Sequence, residues 1–285
     1  MIDARQMWES VERYHQLTYW APEVRDTATD IGLRGFWMNY FATRAAPLGA
    51  VPPPVVASAF FYFAPRRVER AIPDAWTFAR PADILEARYE GIDRALRREL
   101  GPLCEGPEVR TAVEVVRRAV AEANLMGRTL AAGWAGLPWP DSPHVALWHG
   151  CTVLRELRSG SHLIALAAAG LDGCEAVVSQ VAVDEAPYEW IEHEAGWSAD
   201  EADAARDRLR RRGWVDTRGW ATDIGRRERQ GIEELTDRLD LQHWLAVGED
   251  GCSSLRRALA PLNEVLPRDD QIDWRQLYEP NDIGS

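Results

Sequence analysis

The sequence predicts a mainly α-helical chain built from two copies of one helical unit related by a pseudo-two-fold, with a single small β-ribbon in the second copy. Three observations carry that prediction. Apolar residues recur at helical spacing through most of the 285 residues. A segment repeats itself: FATRAAPLGAV at 41–51 aligns with IALAAAGLDGC at 164–174, pairing Phe41 with Ile164 and Leu48 with Leu171 at an offset of 123. Strand signals are confined to 213–222, GWVDTRGWAT, where two short alternating runs flank Thr217-Arg218-Gly219 as a hairpin.

The elements follow in order. Residues 4–17 put Trp8, Val11, Tyr14 and His15 along one stripe, and 81–99 repeat Ile84, Tyr89, Ile92 and Leu96. Residues 108–132 and 143–158 are likewise amphipathic, the latter opened by Ser142-Pro143 and ended by Gly160. Short helices are expected at 171–182 and 187–195; Ser198 caps another through Arg212, and Gly213 ends it before the ribbon. A long helix is expected from 226 to 239. Two further anchors extend the repeat, Trp76 with Trp197 at an offset of 121 and YEGID with RQGIE at 140, so the second copy holds 19 further residues where the ribbon lies. The predicted organisation is a first copy at 1–132 without a wing, a second at 133–265 with one, and an acidic tail at 266–285 that is mobile or docks Trp274 and Tyr278.

Composition excludes several functions. A formal net charge of −12 repels polyphosphate and anionic membranes as a whole, so nucleic-acid contact would need a local basic patch. All 33 basic residues are Arg, which removes lysine Schiff bases and P-loops. Cys104, Cys151, Cys174 and Cys252 form no C-x-x-C pair and read as small buried thiols of a cytoplasmic protein, not as a disulfide frame or zinc site. The start, MIDARQMWESVERYHQ, is not a secretory signal, and the longest apolar stretch, AVPPPVVASAFFYFA, is broken by prolines and short of the ~20 residues a membrane helix needs. No cofactor motif is present. Thirteen Trp fill a wide core or line an organic-ligand pocket.

The run DEADAARDRLRRRGWVDTRGWATDIGRRERQGIEELTDRL at 200–239 resembles the recognition helix, wing and dimer helix of MarR-type regulators. Through LTYWAPE (17–23), LRGFWMNYFATRAAPLGAV (33–51), LPWPDSP (137–143), LWHGCTVLRELRSGSH (147–162), AAGLDGCEAVV (168–178) and GEDGCSSLRRALAPL (248–262), the whole chain resembles an actinobacterial group of MarR-like helix-turn-helix proteins labelled SalK-like. The resemblance implies a duplicated winged helix-turn-helix fold. It also raises DNA reading by a regulator, through residues 198–218 with Arg206, Arg208, Arg210 and Arg218 as candidates. Against that, the first turn of the recognition helix carries Asp200 and Glu201 with Asp203 behind them, and the first copy has no wing.

The leading expectation is therefore a ligand-binding protein of secondary metabolism, monomeric or homodimeric. It takes an aromatic or polyketide-like small molecule in the cleft between the copies. Candidate ligand-binding residues are His15, Tyr19, Trp20, Trp37, Asn39, Arg44, Trp148 and Thr152. Arg44 stands in an apolar helix, where a guanidinium needs a carboxylate, an anionic ligand or a route to solvent. An enzyme is the other alternative. His149, Thr152 and Glu156 fall at i, i+3 and i+7 with Arg155 beside them, and His162, folding back past Gly160, would complete a base-and-orienter pair or a metal set. The plain reading of the same residues is a hydrogen-bonded network, with His15 satisfied by Glu12 and the tryptophans in the core.

Overall fold

The computed structural model describes residues 1–272 and residue 277; Trp274 and Tyr278 lie outside the described residues. The chain begins with α1 (Ala4–Trp20), α2 (Pro22–Asp30), α3 (Gly35–Ala45), α4 (Pro53–Phe60), α5 (Pro65–Glu69) and α6 (Asp74–Phe78). It continues with α7 (Pro81–Leu100), α8 (Pro107–Ala121), α9 (Thr129–Ala135), α10 (Pro143–Ala168), α11 (Gly173–Ala182), α12 (Ala199–Arg211) and α13 (Asp223–Val265). The protein is mainly helical, as its periodicity predicts, and among the described residues none forms a β-strand.

Two compact units share the chain, and each is assembled from separated stretches. The first combines Met1–Val51, Ala71–Gly160 and the residues from 240 to 272; the second combines Pro52–Arg70 with Ser161–Leu239. These bounds differ from the 1–132 and 133–265 divisions that the repeat predicts.

In the first unit α1 starts where the Asp3 carboxylate accepts from the Gln6 N–H at 3.1 Å. Its apolar stripe, Met7, Val11, Tyr14 and Leu17, is buried against Ile92 and Leu96 of α7, Val109 and Val116 of α8, and Leu147 and Cys151 of α10. Gly91 lets α7 cross α2 closely, for a Cβ there would lie 2.7 Å from the Val24 Cα. The helix expected over 108–132 is two helices, because Gly127 takes φ 75° and the Asn124 side chain accepts from the Met126 N–H in a local turn that competes with helix. The break expected at Gly160 is absent: α10 runs unbroken to Ala168. Gly160 instead admits a neighbour, since a Cβ there would fall 2.8 Å from the Arg128 Cγ.

The second unit holds the helix-turn-helix. Capping boxes open both its principal helices, Asp172 with Glu175 before α11 and Ser198 with Glu201 before α12. The expected 187–195 helix is a single wide turn at Trp190–Glu194. α12 ends at Gly213, which adopts φ 74°. The predicted ribbon shrinks to one antiparallel bridge between Val215 and Ala221. Its turn is closed by the Asp216 carboxylate, which accepts from the N–H groups of Arg218 at 2.8 Å and Trp220 at 3.0 Å and so takes donors that a longer ladder would use. The segment 52–70 packs onto this head: the Trp197 indole N–H donates to the Tyr62 carbonyl at 2.7 Å, and Gly173 leaves room for the Phe61 carbonyl. α13 extends beyond the predicted 226–239 to Val265, interrupted at Gly248 with φ 80°.

All four cysteines are free and buried, as their spacing suggests. No single helix among the described residues is long and apolar enough to cross a membrane.

Candidate functional site

Arginine buried among tryptophans marks the most unusual chemistry of the first unit. α3 delivers Arg44 and α7 delivers Arg88, at 4% and 2% exposure; α10 delivers Arg155, half-buried. Against these cations stand Glu12 of α1 and Glu156 of α10. The Arg44 Nε and Nη2 donate to the two Glu156 carboxylate oxygens, both at 2.9 Å, in a bidentate pair. A third donor of Arg44, Nη1, binds the Tyr40 hydroxyl. Arg155 lies 3.6 Å from the Glu12 carboxylate and 3.5 Å from that of Glu156.

Burial pushes the Glu156 carboxyl toward its neutral form, but Arg44 and Arg155 outweigh burial and hold it below the usual carboxylate range. For Glu12 burial wins over Arg155, and its carboxyl is raised. Three guanidiniums thus face two carboxylates, one of which resists ionisation.

Arg88 has the weakest partners. Its Nη1 donates to the Thr43 hydroxyl, while its Nε and Nη2 are buried and have no hydrogen-bond partner. The guanidinium sits 5.2 Å from each of two indole rings, Trp134 and Trp148, which cross edge-to-face. Cation–π attraction replaces only part of the lost hydration, and burial pulls the Arg88 pKa down to about 10.

The candidate residues divide clearly. His15, Tyr19, Arg44, Trp148, Thr152, Arg155 and Glu156 come together in the first unit. His15 is not satisfied by Glu12; its Nδ1 meets the Thr152 hydroxyl at 2.9 Å and its Nε2 the Tyr19 hydroxyl at 2.9 Å. The His15 ring stacks on Trp148 at 6.1 Å, and the Trp148 indole N–H donates to the His15 carbonyl. Burial holds His15 well below the ordinary histidine range, so it is neutral. Tyr19 and Tyr40 lie 5.6 Å apart, half-buried, and Trp37 packs edge-on against Tyr40. Asn39 is half-buried with a partnerless Oδ1, and Trp20 packs on the edge of the core.

His149 and Glu156 do not form the base-and-orienter pair. The His149 Nδ1 pairs with the Tyr89 hydroxyl at 2.8 Å, whereas Glu156 is committed to Arg44. His162 belongs to the second unit, where its Nδ1 meets the Thr236 hydroxyl at 2.9 Å. No three His, Cys, Asp or Glu side chains among the described residues gather as a metal-holding group, so the set His149, Glu156 and His162 is not assembled.

The sequence reading missed Arg88, Tyr40, Trp134 and the part played by Glu12. Arg88 left a signal, for it stands four residues after Ile84 and four before Ile92, on the buried stripe of α7.

In the head, every arginine named for DNA reading but Arg218 is paired with an acid. Arg206 binds Asp203; Arg208 binds Asp172 at 2.6 Å and Glu175 at 2.9 Å; Arg210 binds Asp207 at 2.6 Å. The acidic first turn is itself covered, since Arg66 donates to both Glu201 oxygens at 2.9 and 2.6 Å and pulls that carboxyl down to about 2.

α11, the turn at 190–194 and α12 define a helix-turn-helix protein. The chain matches the sequence profile of a helix-turn-helix family over residues 4–272, and it belongs to that family. No curated protein and no solved structure matches it.

Proposed function

We propose that this helix-turn-helix family member is a small-molecule-binding protein, taking an organic acid with an aromatic body against the arginines of its first unit. The observation that carries the reading is Arg88: a guanidinium 2% exposed, with two of its nitrogens lacking a hydrogen-bond partner, is what an anionic ligand would complete. The excess of guanidiniums over carboxylates points the same way. Trp134 and Trp148 beside Arg88, with Tyr19, Tyr40 and Trp37 half-buried around the cluster, offer the apolar faces such a molecule needs. A role in secondary metabolism and the MarR-like, two-copy organisation read from the repeat belong to the same proposal.

The test is titration of intrinsic tryptophan fluorescence with aromatic carboxylates, phenylacetate and 3-phenylpropionate. Saturable quenching that disappears in Arg88→Met supports the reading; a flat response in the wild type, or an unchanged response in the variant, ends it.

A second reading, a transcriptional regulator, is favoured by the family itself. Residues 198–218 would read DNA, but Arg206, Arg208 and Arg210 would have to exchange acids of their own chain for phosphates. A sequence-specific gel shift weakened by salt and by Arg208→Ala or Arg210→Ala would establish it.

A further inference from the structure

Hydrogen-bond bookkeeping at Tyr19 constrains the ligand further. A threonine hydroxyl has one proton, and that of Thr152 is donated to the Trp148 carbonyl at 2.9 Å. Thr152 Oγ1 therefore receives the Nδ1–H of His15. His15 is neutral, so its Nε2 carries a lone pair and accepts the Tyr19 O–H.

The consequence is a fixed polarity: Tyr19 meets a ligand as a hydrogen-bond acceptor. A second acceptor lies in the same unit. The Asn39 Oδ1 is buried without a partner, one helical turn before the Thr43 that receives Arg88. Arginine donors together with such acceptors are not complemented by a bare carboxylate, which accepts only.

We infer that the acid bound here also carries a hydroxyl close to its carboxylate, the carboxylate lying on Arg88 and the hydroxyl donating to Tyr19. This assignment rests on the organic-acid reading and adds a ligand class to it: hydroxylated aromatic acids rather than aromatic acids in general. Tyr19, with its polarity set by His15 and Thr152, is then the specificity-determining residue.

Two matched pairs of acids differing by one hydroxyl test it, mandelate against phenylacetate and 3-phenyllactate against 3-phenylpropionate, titrated calorimetrically into wild type, Tyr19→Phe and Arg88→Met. The hydroxylated member of a pair is expected to bind about tenfold more tightly in the wild type, the worth of one satisfied hydrogen bond. In Tyr19→Phe the ratio falls to about one while the affinity for the deoxy acid is kept; in Arg88→Met both affinities are lost. Equal affinities within both pairs in the wild type, with Arg88→Met still blind to all four acids, overturn the hydroxyl assignment and leave the organic-acid reading standing. If none of the four acids binds the wild type, both fall. The polarity has its own check without ligand: imidazole nitrogen shifts of 15N-labelled wild type should show His15 as the Nδ1–H tautomer, and an Nε2–H tautomer overturns the inference.

Discussion

In the first unit Arg44 and Arg88 are sunk among tyrosines and tryptophans, whereas in the second Arg208 and Arg210 stand part-exposed on α12 with acids close at hand. The same side chain is used at very different levels of solvation. Outside, water screens the charge and each pair contributes little; inside, charge left without a partner is costly and persists only where something else requires it. The difference teaches where to look for a ligand: at the uncompensated interior rather than the compensated surface.

Four experiments sharpen or break this contrast. Acid should act first on the interior. Burial lowers the pKa of His149 to about 4 and of His243 to about 3, and holds His15 well below its ordinary value, all three in the first unit. A histidine depressed in the folded state contributes its full stability above the unfolded value near 6.5 and loses it as pH falls toward the folded value. Urea titrations should therefore show stability dropping between pH 7 and pH 5, by about 2 kcal/mol for each such histidine, and a flat profile would contradict the buried neutral histidines.

Glu156→Gln should come next in size. It strips Arg44 of its bidentate partner at a site where the carboxylate is 1% exposed, and should cost about 3–5 kcal/mol of unfolding free energy. A smaller effect is expected from Arg88→Met in the ligand-free protein. Replacing a poorly paired buried cation by an apolar chain should leave thermal stability unchanged or raise it by about 1 kcal/mol; a marked loss would mean that Arg88 is structural. Arg210→Ala, which removes an exposed pair with Asp207 in the head, should cost under about 1 kcal/mol and should soften further with added salt. A loss there as large as that of Glu156→Gln would erase the contrast between the two regions.

Much of the fold could be read in advance wherever the signal is local. Ser198 and Gly213 bracket α12 because a capping hydroxyl and a left-handed glycine act within a few residues, and the stripe of α7 needs only its own spacing. Failures occurred where a local cue had two outcomes. Gly160 reads as a helix stop and proved to be a place of close packing, while Asp216 drew the ribbon's N–H groups into a turn. At the site, Arg44 announced its need for a partner, but that the partner is Glu156, 112 residues away, depends on tertiary packing. The same holds for Arg66 and Glu201, separated by 135 residues, which is why the acidic first turn of α12 looked uncovered.

The interleaving of the two units limits how the chain can be taken apart. No single cut yields either body whole: a fragment ending at residue 132 lacks α10 and the second half of α13 from the first unit, and one beginning at 133 lacks the 52–70 strap from the second. During synthesis Phe61 and Tyr62 must wait for Gly173 and Trp197 to emerge, and α1 for residues beyond 240, so neither core can close early. Assigning roles to the two units therefore has to proceed by point substitution in the intact chain.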